Sequence, residues 1–363
     1  MWRAPPRTVQ MRLGSPNIRR VTTSPITRRR FTAGLAGTAL LTALTACGGS
    51  GDDTADGASD QGGAGGWTYT DGRGVALELD AMPTRIAAFA DYALVLLSYG
   101  ITPVAVFGRT DVASDPRFAE HDLSDVAIVG NAYGEIDLEA LATAAPELII
   151  TGIYPTDREG TLDTEGVLYA FADLEQQGQI EKIAPVAAVV VGGAGLEVIE
   201  ALVELSGAVG ADPAAIESAK ADFETARDAL TAASEARPEI ELTRLYADAS
   251  GIYLVKTADE PVTQMYAEFG VRLTTLVTDG DFYWDIYSWE NAADMMTGDV
   301  LLLSDEGFQQ ADMEAQPTFA DDPALVAGQV VVWPNGVMSY AYQAAQMTAL
   351  AETITSAQDV VPG

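Results

Sequence analysis

Asp212-Pro213-Ala214-Ala215-Ile216-Glu217-Ser218-Ala219-Lys220-Ala221-Asp222-Phe223-Glu224-Thr225-Ala226-Arg227-Asp228-Ala229-Leu230-Thr231-Ala232-Ala233-Ser234-Glu235-Ala236-Arg237-Pro238 is the stretch on which the fold turns. It reads as one long helix. Asp212 can cap the first turn, Pro213 suits the first helical position, and Arg237-Pro238 ends it. Ile216, Ala219, Phe223, Ala226, Leu230 and Ala233 recur at spacings of three and four. They make one apolar stripe along about 36 Å of helix.

On both sides of this helix the rhythm changes. Before it, residues 85–89, 103–107, 127–129, 147–151 and 185–191 are short, β-branched and apolar. Between them lie helical patterns: 91–99, closed by Gly100, and 137–145, capped by Asp137 and stopped by Pro146. After it, 243–247, 252–255, 300–303 and 329–333 read as strands, and 262–269, 291–296 and 340–354 as helices. Such alternation marks an α/β architecture. The expected fold is two similar lobes, each a mainly parallel sheet with flanking helices. One long connecting helix joins them and leaves a ligand cleft between, at the carboxyl ends of the strands. The N-terminal lobe is placed at 67–192, the connecting segment at 193–238 with its helix over 213–236, and the C-terminal lobe at 239–363.

The first 46 residues are an address. They hold eight arginines, no acid, and an apolar run over 31–46 that is too short for a membrane span of about 20 residues. Arg28-Arg29-Arg30-Phe31 is similar to a twin-arginine export signal. Leu44-Thr45-Ala46-Cys47 resembles the bacterial lipobox, and Cys47 is the only cysteine in the chain. Lipidation of Cys47 is therefore expected, with anchoring to the outer face of the cell membrane. Translation could start at Met1 or Met11. Residues 48–66 are Gly, Ser, Asp, Thr, Ala and Gln, which cannot bury apolar surface, and are read as a disordered tether.

Beyond the signal the chain keeps 12 of its 20 basic residues and all 53 acidic ones, a net charge of −41. That balance excludes nucleic acid as a partner, since phosphate binding needs basic patches. It also argues against lying flat on anionic lipid. His121 is the only histidine. One His and one lipidated Cys leave no ligand set for a zinc or copper site and no base for Ser-His-Asp chemistry unless His121 serves. Neither GxSxG, a P-loop, HExxH nor GxGxxG is present. The chain reads as a binder, not an enzyme; a glycan-active enzyme and a surface structural lipoprotein remain the rival classes.

Several ordered motifs then carry a resemblance. Pro83-Thr84-Arg85-Ile86-Ala87-Ala88-Phe89 opens the first lobe. Gly134-Glu135-Ile136-Asp137-Leu138-Glu139-Ala140-Leu141 is followed by Ala145-Pro146-Glu147-Leu148-Ile149-Ile150. Ile183-Ala184-Pro185-Val186 precedes the connecting segment, and Ser288-Trp289-Glu290 with Asp299-Val300-Leu301-Leu302 repeats the helix-then-strand pattern. The chain resembles the helical-backbone family of extracytoplasmic solute-binding proteins over about residues 67–358. That resemblance implies a monomeric binder of a ferric siderophore, or alternatively of cobalamin, which delivers it to an ABC importer permease. No cofactor and no protein metal ligand is implied, because the iron arrives already chelated. It also implies that Glu139 and Glu290, one per lobe, dock the permease through its arginines.

Loops that follow strands supply the expected cleft residues. From the first lobe these are Tyr92, Arg109 and Tyr154; from the second, Tyr253, Phe282, Tyr283, Trp284, Tyr287, Trp333 and Tyr340. Aromatic walls with few polar groups suit a large organic ligand. Asp281-Phe282-Tyr283-Trp284-Asp285-Ile286-Tyr287 is the densest of these stretches, and an edge strand using alternate aromatics is its other reading. Arg109 could donate to a hydroxamate or carboxylate oxygen, or make a salt bridge. Trp333 could serve the cleft or the core.

Overall fold

The computed structural model describes residues 66–275, 282–295, 298–334 and 336–361. The export signal, Cys47 and nearly all of the tether lie outside the described residues, as does Asp281.

The first lobe opens with an antiparallel hairpin, β1 (Trp67–Thr70) and β2 (Ala76–Leu79), which the sequence patterns did not reveal. The Asp71 carboxylate clamps it to the main sheet by accepting from the Ala188 N–H at 3.0 Å and Arg73 Nε at 2.7 Å. Five strands follow: β3 (Ile86–Phe89), β4 (Ala105–Phe107), β5 (Ala127–Gly130), β6 (Leu148–Ile153) and β7 (Val186–Val190). They pair in the order β5-β4-β3-β6-β7, every pair parallel. Parallel strands covered on both faces must be apolar throughout. Accordingly β3 and β6 are buried along their whole length. The helices are α1 (Ala90–Ser98), α2 (Leu138–Ala144), α3 (Leu174–Ile180) and α4 (Gly195–Ala208). Asp137 caps α2 as expected, accepting from the N–H groups of Glu139 and Ala140.

The connecting helix α5 spans Pro213–Ala236. Asp212 caps it by accepting from the Ala214 N–H at 2.9 Å. Ala219, Phe223, Ala226 and Leu230 are buried, as the stripe predicts.

In the second lobe β8 (Leu242–Asp248), β9 (Gly251–Val255), β10 (Trp284–Tyr287), β11 (Val300–Ser304) and β12 (Val330–Trp333) form a sheet of order β10-β9-β8-β11-β12. β8, β11 and β12 are parallel, while β9 and β10 run antiparallel to their neighbours. This sheet is mixed because only Ala249 and Ser250 separate β8 from β9, and so short a link permits only a hairpin. Its helices are α6 (Pro261–Glu268), α7 (Gln310–Glu314), α8 (Pro323–Val326) and α9 (Tyr340–Ser356). Residues 291–296 are expected to be helical, and Trp289–Met295 form 3-10 turns instead.

One continuous core runs through the first lobe, α4, α5 and α9 to one face of the second sheet; a smaller core fills that sheet's other face. Alternation along β8 divides the two. Leu245 and Ala247 enter the smaller core, whereas Arg244 and Tyr246 turn the opposite way.

Candidate functional site

The first wall of the cleft grows from the carboxyl ends of β3, β4 and β6. Phe89 is fully buried there and packs edge-on against Tyr169 at 5.2 Å between ring centroids. Around Tyr169 stand Tyr154 at 4.8 Å and Tyr133 at 5.4 Å. Tyr92 is hydrogen-bonded to Tyr154 and packs on Phe89 at 6.0 Å. The close approach needs glycine at 152, since a Cβ there would lie 2.1 Å from the Tyr92 hydroxyl. Burial pushes the Tyr169 hydroxyl up to about 12, and raises those of Tyr92 and Tyr154 as well. These phenols stay neutral and protonated, so they offer both donors and acceptors.

The second wall is the outward face of β8, β9 and β10. Tyr246 pairs across the ladder with Tyr253, and Tyr253 with Ile286. Directly paired residues share a face, so the row is continuous. Tyr246 meets Tyr253 at 5.4 Å, Tyr253 meets Trp284 edge-on at 6.3 Å, and Trp284 meets Tyr283 at 5.2 Å. Tyr283 has φ of 74°, unusual for a bulky residue. Its N–H donates to Asp259 Oδ2 and its carbonyl accepts from the Lys256 N–H, both at 2.9 Å. Held this way, Tyr283 interacts electrostatically with Tyr154 and Tyr169 of the first lobe.

Ion pairs cross the cleft. Arg109 Nε donates to Glu306 Oε1 of the second lobe at 2.7 Å, and Nη1 to Asp91 Oδ2 at 3.1 Å. Its Nη2 is buried and makes no hydrogen bond. Arg117 binds the other oxygen of Asp91 at 2.7 Å. Burial raises the Asp91 carboxyl, but the two guanidinium groups outweigh it and hold the pKa below the usual carboxylate range. Arg158 spans to Asp259 with two parallel bonds of 2.8 Å. Asp305 is different: burial drives its carboxyl up, with Oδ1 buried and unbonded.

The expected cleft residues therefore divide. Tyr92, Arg109, Tyr154 and Tyr283 come together at the inter-lobe seam, Trp284 and Tyr253 continue the row of rings from Tyr283, and Phe282 packs on Tyr283. Tyr287 alternates to the opposite face of β10 and packs on the smaller core. Trp333 is 4% exposed and stacks edge-on with Tyr266. Tyr340 packs on Phe223 of α5 at 5.2 Å. These last two belong to the core behind the seam. Tyr133, Tyr169, Tyr246, Asp91, Arg117, Arg158 and Asp259 are seam residues the sequence did not single out. Among the described residues, no cluster of three or more His, Cys, Asp or Glu could hold a metal ion.

Glu139 and Glu290 sit exposed, away from the seam. Glu139 is in the first turn of α2 and borders a surface hollow of about 540 Å³ with Arg85 and Asp125. Glu290 is in the first turn after β10, where backbone and Ser288 hydrogen bonds lower its carboxyl.

Two α/β lobes on a helical backbone, with a tyrosine-lined seam, define a solute-binding protein. The chain belongs to the periplasmic binding protein family, whose model matches residues 86–337. Among solved structures it is similar to DesE, a ferric-siderophore receptor protein from Streptomyces coelicolor. That match has 30% identity and a TM-score of 0.72, and covers 81% of this chain and 99% of that one. It is also similar to the siderophore periplasmic binding protein from the fuscachelin gene cluster of Thermobifida fusca (25% identity, TM-score 0.55, 76% and 98% covered). SirA of Staphylococcus aureus, solved with staphyloferrin B, shares the fold at 15% identity and TM-score 0.56, with 80% and 99% covered. No curated protein sequence matches the chain.

Proposed function

We propose that this protein binds a ferric siderophore outside the cytoplasmic membrane and delivers it to an ABC importer. The observation that carries the reading is the seam: two facing tyrosine-rich walls, one per lobe, around a buried arginine with an unused donor. A chelated ferric ion presents a bulky organic shell with oxygen atoms at its surface. Aromatic faces pack against the shell, and phenol hydroxyls and a guanidinium serve the oxygens. Tyr92, Arg109, Tyr154, Tyr253, Phe282, Tyr283 and Trp284 form the ligand set. The 30% identity to a ferric-siderophore receptor across nearly all of that protein supports the choice of solute.

Export by the arginine-rich signal and a lipid on Cys47 place the protein at the membrane. Among the described residues no helix is long and apolar enough to cross it. Glu139 and Glu290 are the contacts to the permease, both exposed and on different lobes. Replacing both with Ala is expected to abolish uptake of radiolabelled iron–siderophore by cells while leaving its affinity for the purified protein unchanged. Uptake that survives the double change, with binding intact, would remove these residues from the docking role.

A further inference from the structure

We propose that the seam selects ferric chelates by charge: it admits neutral and cationic complexes and rejects polyanionic ones, an inference that rests on the siderophore reading above. Arg109, Arg117, Arg158 and Arg244 border the seam, and each is already neutralised by an acid of the same chain. Arg109 is held by Asp91 and Glu306, and Arg117 by Asp91 and Asp115. Arg158 is taken by Asp259 at 2.8 Å and Arg244 by Glu260 at 2.6 Å, while Lys256 and its partner Asp285 lie on the opposite face of the sheet. The other cations of the described chain lie at the amino ends of strands or on α5 and its flanks.

The acids are in excess. Asp91 serves two arginines, yet the paired acids still outnumber the cations, and Asp305 adds a carboxylate whose Oδ1 has no hydrogen bond. An entering polyanion finds no unneutralised positive charge: Arg109 Nη2 has a spare donor, but its guanidinium is already held by two acids. To recruit one it must displace an acid, leaving that acid buried and uncompensated. A neutral or cationic chelate meets neutral tyrosine hydroxyls and surplus carboxylate, and disrupts no pair. The net charge of −33 repels polyanions at long range as well.

The test compares three ferric probes on the full chain in detergent by equilibrium dialysis. Ferrioxamine B is a singly cationic tris-hydroxamate, ferrichrome a neutral one, and ferric enterobactin a trianionic tris-catecholate. The first two are expected to bind, with enterobactin weaker by about a hundredfold or more. Glu306→Gln leaves Arg109 only Asp91, which it shares with Arg117, and Asp259→Asn separately frees the more exposed Arg158. Each change is expected to narrow the gap roughly tenfold by strengthening enterobactin binding. Circular dichroism checks folding; if one variant does not fold, the other decides. Enterobactin binding within tenfold of ferrioxamine B, or alone, overturns charge selection and leaves the siderophore reading standing. A gap unchanged in the folded variants also overturns it. If none of the three binds, the siderophore reading falls and the inference with it.

Discussion

At the scale of single residues, the seam holds features that stability alone would not favour. Tyr283 occupies the left-handed region, at a cost of about 1–3 kcal/mol, and is held there by Asp259 and the backbone of Lys256. Glycine relieves that strain and alanine does not. Chemical denaturation is expected to show Tyr283→Gly more stable than Tyr283→Ala by about 1 kcal/mol, with both losing ligand affinity. Equal stability would mean that the backbone there is unstrained. Asp305 is a second such feature. Burial raises its carboxyl, so folding opposes its ionisation. Its favourable share of stability is full below the ordinary carboxylate pKa and lost as pH rises through the folded value. Asp305→Asn should therefore raise the melting temperature near neutral pH, with the gain vanishing at about pH 4. A gain independent of pH would contradict the assignment. Arg109 shows what sequence can and cannot give. Its position after β4 was readable, but its partner Glu306 lies 197 residues away. No local pattern connects the two.

At the scale of elements, local signals carried far. Asp212, Pro213 and the three-and-four spacing place α5 to the residue. The parallel strands of the first lobe are legible because burial on both faces makes them continuously apolar. β10 is an edge strand with alternate aromatics: Trp284 lies on the face shared with Tyr253 while Tyr287 packs on the smaller core. A hinge of only two residues made β9 antiparallel, a geometric constraint that apolar patterning does not express. Trp333 and Tyr340 went to the core because strand ends and helix starts look alike whether or not a helix covers them. The weight of α5 in the fold can be measured. Phe223 is 2% exposed and meets both Phe269 and Tyr340. Phe223→Ala is expected to cost about 3–5 kcal/mol in denaturant unfolding. A loss under about 1 kcal/mol would mean that the α5–α9 contact is not a structural core.

At the scale of the whole molecule, cross-lobe pairs decide how the cleft behaves. Arg158–Asp259 and Arg109–Glu306 tie first-lobe loops to the second lobe at 2.8 and 2.7 Å. Composition hinted at their importance: only 12 cations remain beyond the signal against 53 acids. Which acids they choose depends on the assembled lobes. Family membership and the tyrosine walls then make ferric siderophore binding the central claim. Its most direct test is thermal unfolding of residues 48–363 with a ferric tris-hydroxamate, beside the same siderophore without iron. Binding to the native state should raise the midpoint in proportion to the logarithm of ligand concentration, by about 2.7 kcal/mol at a hundredfold excess over Kd. The account predicts this rise for the iron complex and a much smaller one for the iron-free compound. No rise with hydroxamate, catecholate or carboxylate complexes alike would contradict it.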